Sequence, residues 1–291
     1  MTYKTLSGKE PAEEVLRDIE HRAKKLHRKP MLAIIVVGEY KPSQIYVKRK
    51  IETAARVGVD TEVHRLPEEI EEKELIALIE RLNQDKKVDG YIVQTPLPKH
   101  INAQRVFEKI DPHKDVDGFH PRNMGKVLLN IFDENMFPPA TPSGVMKILH
   151  YYNAPIDGAN ACVVGRSNIV GKPVAMMLLH HNATVSICHS RTRDLASYTK
   201  NADILVVAAG NPGLVKADMV KEGAYIVDVG TTRVLIDGKD KVVGDVDFEN
   251  VIKKANCSPV PGGVGPMTVA MLIANTVKAA EQNLARLNKK S

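Results

Sequence analysis

The chain has 291 residues, with 41 Lys plus Arg against 35 Asp plus Glu, 43% apolar and 26% charged residues, and a net charge of +6 at pH 7. Those proportions belong to a globular protein and exclude a mainly disordered one, and the length suggests about two domains. The three cysteines, Cys162, Cys188 and Cys257, are few and widely spaced; they support neither a disulfide framework nor a metal site, and fit a reducing cytoplasm.

Residues 10–29 are polar, with Val15, Leu16, Ile19, Ala23 and Leu26 at helical spacing. The run Met31–Val37, closed by Gly38, reads as a buried strand. A helix follows from Ser43 to Val57 and ends at Gly58. A strand over Thr61–Leu66, a helix over Ile70–Asn83 and a second buried strand over Gly90–Gln94 come next. Pro96 and Pro98 stop that strand, because proline cannot donate to a sheet ladder. Residues 111–141 are rich in Asp, Gly, Asn and Pro and have no sustained period, which predicts a long functional loop set. Pro142 opens a helix to about Tyr152. The turn-rich Asn153–Asn160 then marks the domain boundary. Further strands are expected at Ala161–Val164, Ala183–Cys188, Ile204–Ala208, Tyr225–Val229 and Lys241–Gly244, with short helices between them. The stiff segment Pro259–Pro266 precedes a last helix from Met267 to about Leu287. Strand and helix alternate in two series, which predicts an α/β fold with parallel sheets in two domains. Residues 1–153, completed by 263–291 as the last helix returns, are expected to form one α/β domain. Residues 154–262 are expected to form a Rossmann-type, doubly wound domain.

The longest apolar run, Met31–Val37, is far too short to span a membrane. The opening MTYKTLSGKE lacks the apolar core of a secretory signal. Aromatics make 4% of the chain and Trp is absent, so the stacking platforms of a nucleic-acid surface are missing. Lys and Arg are mixed with Asp and Glu, except at residues 21–29 and Lys289-Lys290. That balance suits solvated helix faces, or a site for an anionic small molecule.

Residues 161–173 read as strand, glycine turn and helix. The turn departs from G-x-G-x-x-G and carries Gly165, Ser167 and Gly171. Gly165 permits a sharp turn, Ser167 can donate to a phosphate, and Gly171 lets the helix pack close to the strand. The helix N-terminus would then face a pyrophosphate. A turn of this kind, taken alone, is as well explained by structure as by binding. The next strand ends in His189-Ser190-Arg191-Thr192-Arg193, without the acid that would hold the ribose 2′-OH of NAD. With Arg166 in the turn, Ser190 and Arg191 suit a 2′-phosphate, which a guanidinium grips with a planar fork. NADP is the expected cofactor, and an exposed basic loop is the plain alternative.

Ser43, Tyr46 and Lys50 lie three and four residues apart on the helix after the first strand, so they are neighbours on its surface. That helix starts at the carboxyl end of a parallel strand, where open α/β sheets bind ligands. Gln94 ends the Gly90–Gln94 strand at the same edge, and Asp115 and Asp117 sit in the loop Lys114–Gly118. Together they would supply a lysine base, a tyrosine platform, a polarising glutamine and an aspartate for a cation-like group. The plain alternative is a solvated Tyr/Lys pair. Residues alone lead as far as an NADP enzyme with a second polar site in its N-terminal domain.

At these residues the chain resembles the bifunctional methylenetetrahydrofolate dehydrogenase/methenyltetrahydrofolate cyclohydrolase family, nearly end to end. The likeness runs through Ser43-x-x-Tyr46-x-x-x-Lys50, Val93-Gln94-x-Pro96-Leu97-Pro98, Lys114-Asp115-Val116-Asp117-Gly118 and Pro139-x-Thr141-Pro142-x-Gly144-Val145. It continues in Gly165-Arg166-Ser167-x-Ile169-Val170-Gly171, in Ala183-Thr184-Val185 with Cys188-His189-Ser190, and in the long run Val260–Met271. The resemblance implies oxidation of methylene-tetrahydrofolate with NADP, then hydration of the methenyl product to 10-formyl-tetrahydrofolate. It makes Lys50 the general acid/base of the hydration, tuned by Gln94, with Tyr46 stacked on the folate and Asp117 on the pterin amino group. Ser43, Pro261, Gly262 and Gly263 are implied at the folate. Gly165, Arg166, Ser167, Ile169, Gly171, Ser190, Arg191 and Thr231 are implied at the cofactor. The resemblance also implies a homodimer joined through its cofactor domains, with the active cleft between the domains, and no metal, as in the family's common bacterial form. Two positions depart from its pattern: Ala140 stands where many members have Cys, and Gly230-Thr231-Thr232 replaces a frequent Gly-Ile-Asn. The rival readings are a dehydrogenase without the hydration step, disfavoured by Lys50, and a nucleotide-sensing or nucleic-acid-binding protein, disfavoured by the scattered charge and the intact polar set.

Overall fold

A computed structural model describes residues 2–39, 41–236 and 239–288, without the side chains of residues 41–43, 236, 239, 287 and 288. In chain order the elements are α1 (Lys9–Ala23), β1 (Met31–Val37), α2 (Lys41–Arg56), β2 (Asp60–Leu66), α3 (Glu72–Gln84), β3 (Gly90–Val93), α4 (Ala103–Glu108), α5 (Pro121–Leu128) and α6 (Ala140–Tyr151). Then come β4 (Asn160–Val164), α7 (Gly171–His180), β5 (Thr184–Cys188), α8 (Leu195–Thr199), β6 (Ile204–Val207), β7 (Tyr225–Asp228), β8 (Thr232–Ile236), β9 (Lys239–Val243), α9 (Phe248–Val251), β10 (Asn256–Cys257) and α10 (Val264–Asn288).

Contacts divide the chain into two compact units. One holds residues 14–140 and 269–291, the other residues 1–13 and 141–268. The sequence places the borders at 153/154 and 262/263. The difference at the start has a visible cause, since the first residues pack on the end of the chain's second series. Leu6 N donates to Cys257 O at 2.9 Å and Gly8 N to Gly262 O at 3.0 Å. Tyr152 OH, just past α6, donates to Ser7 O at 3.0 Å.

The unit of residues 14–140 and 269–291 is built on a parallel sheet of order β2-β1-β3. Every residue of β1 after Met31 is buried, as a central strand covered on both faces requires. The chain leaves β1 on one side for β2 and returns on the other for β3. This makes the carboxyl ends of β1 and β3 a switch point, where a ligand crevice forms. The segment after α4 runs beside β3. Tyr91 N donates to Lys114 O at 2.9 Å, and Tyr91 bridges Asp115 in parallel. Gly90 makes this approach possible, because a Cβ there would sit 2.1 Å from Val116 Cγ1. The parallel direction carries Asp117 toward the edge at which β3 ends.

At the opposite end of the sheet Arg28 grips the fully buried Asp89 with two bonds of 2.7 Å. Met31 N and Asn283 Nδ2 donate to the same carboxylate. Helix α1 stops at Ala23, short of the expected Lys29, and the intervening turn brings Arg28 to this position. Arg28→Ala should lower unfolding stability by about 2 kcal/mol, since Asp89 keeps two donors and Arg28 is half exposed. A urea midpoint unchanged from the parent would refute this.

Residues 111–141 are not only loop. Pro121 opens α5, and His120 Nδ1 accepts from Arg122 N to cap it. The helix hides from a hydrophobicity reading because the buried face of its eight residues consists of Asn123 and Val127. Asn123 is fully buried and donates to Asp115 Oδ2 at 2.8 Å.

The second unit carries a parallel sheet of order β10-β7-β6-β4-β5. The order reverses between β4 and β6, as in doubly wound folds, and that defines its crevice. The residues expected as the fifth strand lie outside this sheet. They belong to β9, which pairs antiparallel with β8 in a separate ribbon. The place is taken by the two-residue β10, too short to give a periodic signal. All three cysteines are free and buried.

Candidate active site

Lys50 sits in the inward stripe of α2. Val47, Lys50 and Ala54 are all buried, at spacings of three and four, so an ammonium occupies a place where the helix otherwise presents apolar side chains. Its Nζ donates to Gln94 Oε1 at 3.0 Å, and Gln94 Nε2 in turn donates to Thr95 O at 2.8 Å. The amide is thereby held in one orientation, with its oxygen toward the lysine. Burial pushes the Lys50 ammonium below the usual lysine range, and the nearby charge of Asp117 opposes the shift. Asp117 is partly exposed, yet protein atoms crowd its carboxyl and push it up to about 6, with the Lys50 charge pulling the other way. Lys50, Gln94 and Asp117 thus form one group at the β1/β3 switch point. Tyr46, half-buried, lies one turn before Lys50 on the same helix. The backbone of Ser43 lies in α2, but its side chain is outside the described residues.

The loop holding Asp117 is fixed by Asp115, its partners and Asn275, of which the sequence singles out only Asp115. Asp115 is fully buried and accepts from Phe119 N, His120 N and Asn123 Nδ2 at 2.8–3.0 Å. Its carboxylate is consumed in shaping the turn. From α10, Asn275 Nδ2 donates to Val116 O at 2.8 Å and Pro138 O at 2.9 Å. Four residues of separation between Asp115 and Phe119 are readable in a sequence, but the 159 between Val116 and Asn275 are not.

In the other unit, Gly165 follows β4 with φ +136°, and a Cβ there would meet Ala208 O at 2.3 Å. A Cβ on Gly171 would meet Gly165 O at 2.2 Å, so the expected close packing of helix on strand is present. Ser167 Oγ accepts from Val170 N and Gly171 N at 3.2 Å. The first donors of α7 are therefore taken within the chain. The backbone N–H groups of Arg166, Ser167, Asn168 and Ile169 have no acceptor among the described residues, and successive free amides in a turn make an anion cradle. Arg166, Ser190 and Arg191 are exposed. Neither arginine has a carboxylate partner among the described residues. The turn after β5 is tied by His189 N donating to Thr192 Oγ1 at 2.8 Å and Arg191 N to His189 Nδ1 at 3.1 Å.

The profile of the tetrahydrofolate dehydrogenase/cyclohydrolase catalytic domain matches residues 6–117, and that of the NAD(P)-binding domain residues 139–284. The chain belongs to the tetrahydrofolate dehydrogenase/cyclohydrolase family. It is 50% identical over 291 residues to the bifunctional protein FolD of Nitrosospira multiformis, covering 99% of both chains. Among solved structures, the bifunctional FolD enzyme of Campylobacter jejuni is 46% identical with a TM-score of 0.92, over 97% of this chain and 99% of that one. The Trypanosoma brucei enzyme, complexed with NADP cofactor and inhibitor, is 35% identical with a TM-score of 0.93, over 98% and 99%. The chain is thus a methylenetetrahydrofolate dehydrogenase and methenyltetrahydrofolate cyclohydrolase, an enzyme of folate one-carbon metabolism.

The family's remaining positions are placed as follows. Pro261 is exposed, Gly262 has φ +109°, and Gly263 N donates to Pro259 O at 2.8 Å. All three lie in the unit of residues 1–13 and 141–268. Thr231 is exposed between β7 and β8, and Ile169 is half-buried in the cofactor turn. Ala140 is buried as the first residue of α6, its N donating to Asp117 O at 3.3 Å. Among the described residues, no cluster of three or more His, Cys, Asp or Glu could hold a metal, and no helix is long and apolar enough to cross a membrane.

Proposed function

We infer that this enzyme oxidises 5,10-methylene-tetrahydrofolate to 5,10-methenyl-tetrahydrofolate with NADP and hydrolyses the product to 10-formyl-tetrahydrofolate, with Lys50 serving the hydrolysis. The buried Lys50–Gln94 pair beside Asp117 carries this reading. An ordinary lysine is protonated at neutral pH and accepts no proton, so a base at this position must be desolvated. Lys50 donates one N–H to Gln94, which leaves the lone pair of the neutral amine for the proton of the attacking water. Tyr46 offers a ring for the pterin to stack on, and Asp117 takes the pterin amino group.

The NADP fit rests on three observations: free amides at Arg166–Ile169, two exposed arginines without carboxylate partners, and glycines whose Cβ atoms would close the turn. Arg166, Ser167, Ser190 and Arg191 would hold the phosphates, with Gly165, Ile169, Gly171 and Thr231 around them. Bound NADP supplies the hydride acceptor. The protein's part in that step is positioning, because the folate nitrogen lone pair drives hydride loss without a protein base. The unit of residues 14–140 thus serves the folate chemistry and the five-stranded sheet the cofactor, with Ser43, Pro261, Gly262 and Gly263 also at the folate. The enzyme works as a cytoplasmic homodimer.

Reduced nicotinamide appearing in the near-ultraviolet with methylene-tetrahydrofolate and NADP, followed by formyl product, tests the reaction; absence of both refutes it. A pH profile tests the electrostatics. The charge on Asp117 favours the ammonium of Lys50, so neutral Asn at 117 lowers the lysine further and enlarges the fraction of free amine at a given pH. In Asp117→Asn the rising limb of methenyl hydrolysis should therefore move to lower pH, whatever its height. A limb that stays in place contradicts coupling between the two groups.

A further inference from the structure

Asp245 is fully buried just beyond β9, and the reaction as described makes no use of it. Its Oδ2 accepts from Ala209 N at 2.6 Å and Gly210 N at 2.8 Å. Its Oδ1 is buried without a hydrogen-bond partner. Ala209 and Gly210 are themselves exposed, so their amides could turn to water if nothing held them. Instead they point inward to a carboxylate whose second oxygen goes unsatisfied, a costly arrangement for stability alone. The held segment has a specific neighbour. Ala208 O lies 2.3 Å from where a Cβ of Gly165 would sit, which places residues 208–210 against the cofactor turn at the β4/β6 switch point. A second buried carboxylate fixes Asp245 itself. Asp228 accepts from Gly230 N at 2.9 Å, Asp245 N at 3.0 Å and Val246 N at 2.9 Å.

We propose that Asp245 is a positioning residue for the dehydrogenase, setting the Ala209-Gly210 backbone, and through it the Gly165 turn, in the shape that NADP binding requires. The proposal rests on the reading that this unit binds NADP. It acts through backbone amides, at no contact with the cofactor, and it separates the two activities. Methenyl hydrolysis needs Lys50, Gln94 and Asp117, none of which lies in this unit.

The test uses the full chain and two readouts, NADP affinity by titration calorimetry and methenyl hydrolysis without nucleotide. Asp245→Ala should raise the NADP Kd at least ~tenfold, the scale of a lost charge-assisted hydrogen bond, while hydrolysis stays near the parent's. Asp245→Asn keeps an oxygen for both amides and should recover most of the affinity. Gly230→Ala reaches the same end differently. Its Cβ would fall 2.3 Å from Asp245 Cγ, displacing the carboxylate without removing it, and NADP affinity should fall again. Asp247→Ala, two residues along the same segment, should keep the parent's Kd. A parental Kd in Asp245→Ala overturns the proposal. So does a loss of hydrolysis as large as the loss of NADP binding in both Asp245→Ala and Gly230→Ala, which would make Asp245 a general support of the fold. Should Asp245→Ala yield no soluble protein, Gly230→Ala decides by the same criteria. A parent enzyme that takes up no NADP would sink the underlying reading instead.

Discussion

Lys50→Met should lose methenyl hydrolysis by at least ~10²-fold, the usual scale for removing a general acid or base, while methylene oxidation survives in part. Methionine keeps the length and packing of the lysine stem inside the α2 stripe and removes only the titrating amine. Folding supplies its own control. Burial lowers the Lys50 ammonium, so the native state binds fewer protons than the unfolded one between the two lysine values. Stability of the parent should therefore gain from this residue as pH rises toward the ordinary lysine value, and Lys50→Met should remove that gain. At neutral pH the variant should be as stable as the parent or more so, because no charge has to be desolvated. Hydrolysis near the parental rate in a folded Lys50→Met would remove the lysine from the mechanism. Loss of both activities alike would make Lys50 an ordering residue for the folate.

Arg166→Ala and Arg191→Ala should each weaken NADP by roughly 1.5–3 kcal/mol, about tenfold to over a hundredfold, and leave NAD nearly unchanged. Both guanidinium groups are exposed and without carboxylate partners among the described residues. Their removal therefore breaks no internal ion pair and should leave Tm in place. Residues 189–193, directly after β5, include no acid to recognise a bare ribose, so the preference has to come from attraction to the extra phosphate. Measuring both cofactors on each variant settles the matter, and an unchanged NADP/NAD ratio in both would refute the assignment.

The cofactor turn and the lysine were legible for opposite reasons. Gly165 and Gly171 show in the sequence because only glycine tolerates backbone oxygens at 2.3 and 2.2 Å from its Cβ direction. Lys50 shows because it shares a helix face with Ser43 and Tyr46 at the carboxyl end of a parallel strand. Local pattern failed where the deciding partner is remote or polar. Asn123 turns the inner face of α5 into something hydrophobic periodicity does not register. Asn275 and Asp245 look like ordinary polar residues, and only the carbonyls and amides they hold, far along the chain, give them meaning. The period of α6 is readable from Pro142 onward, but no local signal says against which sheet a helix packs. The borders at 140/141 and 268/269 therefore required the contacts themselves.

Those borders bear on how such an enzyme can be taken apart. The chain passes between its two units at 13/14, 140/141 and 268/269, and the first and last passages fall inside the unbroken helices α1 and α10. No single cut, in the gene or by a protease, releases either half whole. A shortened chain ending anywhere before α10 lacks Asn275, and with it the side chain that holds the carbonyl of Val116. Exchange of the nicotinamide half for that of another dehydrogenase would need three junctions made at once, two of them in register within a helix. The two activities are in this sense interlaced along one polypeptide, and an insertion or deletion in either helix reaches both.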